Sequence, residues 1–229
     1  MRQLPDTEIY RLEMKFMPWG LLMEIVLSRI TQDVPYNGTV LDLMCGPGYL
    51  LDLIRSQRTD LVLTGVDVDP RYTSYGARST GIRYIKSDVR TWNDDNQYDC
   101  IICTGGIHHL PYNDQPKLFI KMARLMKSGG FCICADPCIS EYANEPERKL
   151  AAAELGYQYL LAVINNGAPP SIINVAVDIL HNDVLADGEY KNSLSHLVEM
   201  AKQAFKHVEI AKVWPEISTE YGDYYLILR

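Results

Sequence analysis

Apolar residues follow two alternating rhythms along this chain. The runs TVLDLMC (39–45), LVLTGVD (61–67), RYIKSD (83–88), YDCIICT (98–104) and GFCICAD (130–136) are too short for helices. Each ends in a turn or an acidic residue, so they predict buried strands. Between them apolar residues recur at threes and fours. Leu50, Leu53 and Ile54 predict one helix, and Leu118, Met122, Leu125 and Met126 another, closed by Gly129 and Gly130. Strands alternating with helices require crossover connections and a mostly parallel sheet.

The rhythm changes after Pro137. Leu150, Ala153, Tyr157, Leu160, Leu161 and Ile164 predict a helix over 146–164 with Pro146 near its start. Ile172, Val175, Ala176 and Ile179 predict a second, and Leu194, Leu197, Val198 and Ala201 a third. HVEIAKVW (207–214) and DYYLILR (223–229) then read as a terminal antiparallel hairpin. With a helix expected over 18–30, the chain reads as one α/β domain built on a doubly wound, mostly parallel, seven-stranded sheet. Its expected parts are an N-terminal helical segment (1–37), a core (38–137), a helical elaboration on the substrate side (138–205) and terminal strands (206–229).

Composition narrows the partners. The 229 residues suffice for one sizeable core, and 22 Lys and Arg against 29 Asp and Glu give a formal charge of −7. Without a basic stripe, nucleic acid is disfavoured, because phosphate neutralisation supplies much of nucleic-acid affinity. No run is long enough to span a membrane, and the first residues carry acids where a signal peptide would be apolar. Six cysteines lie inside apolar segments, Cys132 and Cys134 on one strand face and Cys100 and Cys103 on opposite faces, which reads as buried thiols in a reducing cytoplasm.

In an open parallel sheet, ligands bind outside the carboxyl ends of the strands. Here the first strand carries Asp42 and leads into Gly46-Pro47-Gly48 and a helix. The second ends in Asp67, the third in Asp88, and the fourth in TGGIHHLP. Glycines let backbone approach a ligand, and the helix start offers free N–H groups. A carboxylate on the second strand can accept two ribose hydroxyls, and one on the third can accept from an exocyclic amine. Asp42 can hold an ammonium. Three acidic strand ends suit a cationic nucleoside better than a pyrophosphate.

VLDLMCGPGYL, GVDVDP, KSDVRTW, YDCIICTGGIHHL and LMKSGGFCICADP, in this order over residues 38–137, resemble the successive motifs of class I S-adenosylmethionine-dependent methyltransferases. The resemblance implies a Rossmann-like fold, S-adenosylmethionine as cofactor, and transfer of its methyl group to oxygen, nitrogen or carbon of a small-molecule acceptor. It assigns Asp42, Gly46 and Gly48 to the methionine moiety, Asp67 to the ribose and Asp88 to the adenine amine. Met44, Val68, Val89 and Thr104 complete the cofactor-binding set. Met44 stands where the family usually has glycine, so a side chain there crowds the cofactor or shifts the loop. His108 and His109 fall beside the transferable methyl, where one could act as a base; the alternative is that one packs under the sheet. Being adjacent, they are expected to diverge, so no metal site is expected. Two alternatives keep the cofactor: a different reaction on the same fold, or a non-catalytic subunit. A nicotinamide dehydrogenase is disfavoured, since Leu51 replaces the third glycine of G-x-G-x-x-G.

Overall fold

The computed structural model describes residues 6–229; the first five, part of the expected N-terminal segment, lie outside the described residues. Seven strands, β1 (Thr39–Leu43), β2 (Val62–Asp67), β3 (Ile82–Lys86), β4 (Tyr98–Thr104), β5 (Met126–Cys138), β6 (Val208–Trp214) and β7 (Gly222–Leu228), form one sheet. Their order is β3-β2-β1-β4-β5-β7-β6. Pairing is parallel from β3 across to β5, and β7 runs antiparallel to both β5 and β6. The sheet is therefore doubly wound and mostly parallel, with a terminal antiparallel hairpin. Strand order reverses between β1 and β4, so a crevice opens between the loops that follow these two strands.

Helices α1 (Thr7–Glu13), α2 (Trp19–Asp33), α3 (Tyr49–Gln57), α4 (Pro70–Gly76), α5 (Gln115–Leu125), α6 (Glu145–Asn165), α7 (Pro170–Leu185) and α8 (Leu194–Lys202) complete the chain. The alternating side chains of the strands feed two cores. On one face α5 and α8 cover Leu41, Leu43, Cys103, Cys132 and Cys134. On the other α2 and α3 cover Val40, Leu63, Cys100, Ile102 and Ile133. Fully buried Leu51 and Ile54 anchor α3, each contributing about 1.5–3 kcal/mol by leaving water. All six cysteines are free and buried.

Three sequence expectations are corrected. Met126 does not extend α5; it opens β5 opposite Tyr98, and the register slips before Phe131 meets Cys100. The third strand ends at Lys86, so Asp88 lies two residues beyond it, in a turn. The long helix forms as expected, its start fixed by Asn144 accepting from the Glu147 amide at 3.0 Å, but it buries a different face. Ala151, Ala152, Leu155, Tyr159 and Val163 pack on α7, while Leu150, Tyr157 and Ile164 stay exposed at 72%, 52% and 49%. The helix is apolar on several sides, so the partner helix rather than the periodicity selects the inner one.

Candidate functional site at the switch point

The turn after β1 takes left-handed backbone three times, at Met44 (φ 62°), Gly46 (φ 54°) and Gly48 (φ 80°). Glycine adopts this freely, whereas a residue with a Cβ is strained by roughly 1–2 kcal/mol. Met44 is held there by its amide, which donates to the Val66 carbonyl at 2.8 Å. Its side chain crosses the crevice: a Cβ built on Gly106, in the loop after β4, would sit 3.1 Å from Met44 Cβ. Against the two glycines lie tyrosine rings. Tyr10 of α1 stands 3.5 Å from where a Gly46 Cβ would be, and Tyr84 of β3 closes on Gly48. Helix α1 is tied across this edge by Arg11 to Asp52 (2.9 Å) and by Tyr75 to Glu8 (3.2 Å).

Asp42 and Asp67 meet beneath that cover. Asp67 accepts the Gly46 amide on one oxygen and the Asp69 amide on the other, each at 2.8 Å. Asp42 is buried, and its Oδ1 has no hydrogen-bond partner; neither has the Tyr84 hydroxyl. Burial raises the proton affinity of Asp42 well above the usual carboxylate range, and neighbouring Asp67 adds to this. Burial raises Asp67 too, against the lowering effect of the two amides.

The other expected cofactor residues are more dispersed. Asp88 faces its own turn, accepting the Arg90 amide at 2.9 Å and pairing with the Arg90 guanidinium at 2.6 Å. That pair holds its carboxyl below the ordinary range. Val68 is exposed beside Asp67, Val89 is buried in the core with Trp92 and Leu118, and Thr104 is buried at the end of β4.

Across the crevice, a 3-10 turn (Ile107–His109) follows β4. The two histidines do not diverge. Their ring centroids are 4.1 Å apart, because the tight turn and the loop from α7 gather both side chains. His108 is clamped: both Asp136 oxygens lie 3.0 Å from its Nδ1, and Glu189 Oε2 lies 3.2 Å from its Nε2. His109 Nδ1 is 3.1 Å from the Gly188 carbonyl and 3.7 Å from Glu189 Oε1. Lys191 pairs with Glu189 at 2.9 Å and also with Asp183. Burial pushes Asp136 up to about 7, with His109 and Lys191 holding it down.

Asp136, Glu189 and Lys191 escaped the sequence reading. Asp136 was visible only as the end of a strand. Glu189 is delivered by a turn with left-handed backbone at Ala186 and Gly188, and DGEYK carries no motif. The delivery is firm, since Tyr190 N donates to His108 O at 2.6 Å and Gln115 Nε2 to Tyr190 O at 2.9 Å. A surface depression of about 560 Å³ beside Asp94, Gln97 and Lys127 lies at the opposite end of β4 and touches none of these groups.

Residues 40–130 match the family model described as a methyltransferase domain. The chain is 29% identical over 111 residues to a trans-aconitate 2-methyltransferase of Rhizobium rhizogenes, covering 48% of this chain and 40% of that protein. It is 27% identical over 106 residues to one from Mycobacterium sp. strain KMS, covering 46% and 40%. It thus spans well under half the length of these curated relatives. Among solved structures, the plantazolicin methyltransferase BpumL in complex with SAH superposes with a TM-score of 0.63 at 14% identity, over 96% of this chain and 89% of that one. The match runs from β1 into β5. Residues 40–130 thus resemble a methyltransferase domain, and the fold around them is shared with solved methyltransferases.

Proposed function

We propose that this chain transfers a methyl group from S-adenosylmethionine to a small-molecule acceptor. The observation that carries this reading is the buried Asp42 oxygen without a partner, next to Asp67 and below the left-handed turn at 46–48. A buried carboxylate oxygen left unpaired is costly by about 1–3 kcal/mol or more, and a cationic ammonium offsets that cost. The residues therefore fit the cofactor's methionine end. Asp67 keeps acceptor capacity after its two amides, since a carboxylate offers about four lone-pair sites, and so can take ribose hydroxyls. Asp88 can take an adenine amine by loosening a half-exposed ion pair worth about 0–1 kcal/mol. Val68 and Val89 are assigned to the adenine and ribose surroundings, Thr104 and Met44 to the methyl end.

When bound, S-adenosylmethionine supplies a methyl group on cationic sulfur, open to in-line attack. The chain's own contribution is alignment, which can lower a barrier by about 7–11 kcal/mol. His109, one third exposed, is the imidazole that an acceptor reaches, and His108 behind it is oriented by Asp136. The acceptor is a small molecule: the acidic surface argues against nucleic acid, and the named relatives act on trans-aconitate. No helix among the described residues is long and apolar enough to cross a membrane, and six buried thiols favour a cytoplasmic setting.

Calorimetric titration with S-adenosylmethionine, S-adenosylhomocysteine and NAD tests the reading, with Asp67→Ala alongside. Selective, Asp67-dependent binding of the sulfonium compound and its product is expected. A folded, ligand-free protein that binds neither would overturn it.

A further inference from the structure

One ring nitrogen each of His108 and His109 and one carboxylate oxygen of Glu189 lie within 4.8 Å of one another. We propose that these three residues form a binding site for a divalent transition-metal ion, placed at the acceptor side of the crevice.

One pair of the three already has the spacing of ligands around a shared centre, and the others lie within a small side-chain movement of it. Donors about 2.0–2.1 Å from one ion, at tetrahedral or octahedral angles, are separated by roughly 3.0–3.4 Å. His108 Nε2 and Glu189 Oε2 stand 3.2 Å apart. The surrounding groups are those that orient ligands. A metal-bound histidine typically gives its other N–H to a carboxylate or carbonyl, which fixes the tautomer and turns the free lone pair toward the ion. Asp136 takes this place on His108 Nδ1 and leaves Nε2 toward Glu189, while His109 presents Nδ1 both to the Gly188 carbonyl at 3.1 Å and to Glu189 Oε1 at 3.7 Å. Lys191 donates to Glu189 Oε2 at 2.9 Å and leaves Oε1 facing His109, and the backbone bond from Tyr190 to His108 locks the two loops together.

Charge points the same way. Asp136, Asp183 and Glu189 are buried carboxylates facing one ammonium, that of Lys191. A setting this rich in buried carboxylate attracts a cation. Two imidazoles and one carboxylate select zinc, cobalt, iron, nickel or manganese over magnesium and calcium. Three protein ligands also leave coordination positions open. On the methyl-transfer reading, on which this use alone rests, those positions take oxygen or nitrogen donors of the acceptor and ease loss of its proton. The histidines then act as ligands and not as a free base. The rival arrangement, in which protons on the imidazoles balance the carboxylates, uses the same contacts without a metal.

The test is chelator-stripped full-length protein titrated with Co²⁺ and Zn²⁺ in the absence of S-adenosylmethionine, read by cobalt visible absorption and by calorimetry. One equivalent is expected. His109→Gln and Glu189→Gln should each weaken binding at least 100-fold. Asp136→Asn should weaken it by about 10–100-fold while keeping the stoichiometry. His181→Gln and His207→Gln should bind as the parent does. Glu189 is buried, so circular dichroism accompanies each variant, and half-buried His109 keeps the test decisive if Glu189→Gln does not fold. No stoichiometric uptake by the parent chain overturns the proposal, as does unchanged affinity in folded His109→Gln. Titration of metal-free protein with S-adenosylmethionine is independent, so a cofactor that binds where no metal does removes this inference and leaves the methyl-transfer reading standing.

Discussion

At the ends of β1 and β2, Asp67 is held by two backbone amides while Asp42 Oδ1 has no partner. At the ends of β4 and β5, Asp136 and Glu189 grip His108 from either side and Lys191 backs Glu189. Both banks of the crevice bury negative charge, but only the second wires it into a network. The first bank gains most when a cation arrives, because a desolvation cost is already present in the empty protein. The second is arranged in advance, as a group that must hold precise geometry needs to be. Its members come from three separated segments, so their positions depend on the fold and not on a local motif. On the proposed methyl-transfer reading, the donor is bound through unmet need and the acceptor is oriented through prepared geometry.

The sharpest way to break the comparison is to disable one bank and read the other. Asp67→Ala removes the proposed ribose acceptor together with two amide contacts. It should weaken S-adenosylmethionine binding by roughly 100-fold or more, about 3 kcal/mol, in a calorimetric titration. An unchanged affinity would show that the cofactor does not sit on β2. The converse change, His109→Gln, should leave S-adenosylmethionine affinity within about twofold while methyl transfer falls by roughly 100-fold, the scale of a lost acid–base or ligating group. Equal damage to both would mean that the banks are not separable.

Asp223 sharpens the point about buried charge. It lies on β7, bonded to Tyr159 of α6, with Asp136 and Lys191 acting on it from β5 and the loop after α7. Burial pushes it up to about 7, against about 4 in an unfolded chain. The folded state therefore holds the proton more tightly, and the stability this gives is complete below pH 4 and lost as pH rises through 7. Asp223→Asn does not titrate. Its stability advantage over the parent should be near zero at pH 4 and grow to about 2–4 kcal/mol at pH 8 in urea melts. Parallel curves would refute this.

The smallest effect belongs to Met44. Met44→Gly relieves left-handed strain of roughly 1–2 kcal/mol and gives up the packing across the crevice. Stability should stay within about 1 kcal/mol, and S-adenosylmethionine affinity should rise about threefold as the crevice opens. A tenfold fall would make Met44 part of the binding surface.

The strands and the glycine turn were legible because each is local. A short apolar run with an acidic end has few options other than a strand in a parallel sheet, and Gly46-Pro47-Gly48 reads as a turn because glycine takes left-handed backbone freely. The inner face of α6 was not legible, since apolar side chains surround the helix and only α7 decides which of them leave water. Asp88 is expected at a strand end, yet β3 stops at Lys86, and the pairing of Asp88 with Arg90 appears only once the turn is formed.

The order of elements, the turn after β1 and the acids at the strand ends are written in the sequence, because hydrophobic period and backbone freedom act over a few residues. The meeting of His108 and His109 with Glu189, about 80 positions downstream, is not. It needs α7 packed on α6, a left-handed turn at Ala186, and a loop pinned to the end of β4, conditions that exist only when the whole chain has folded.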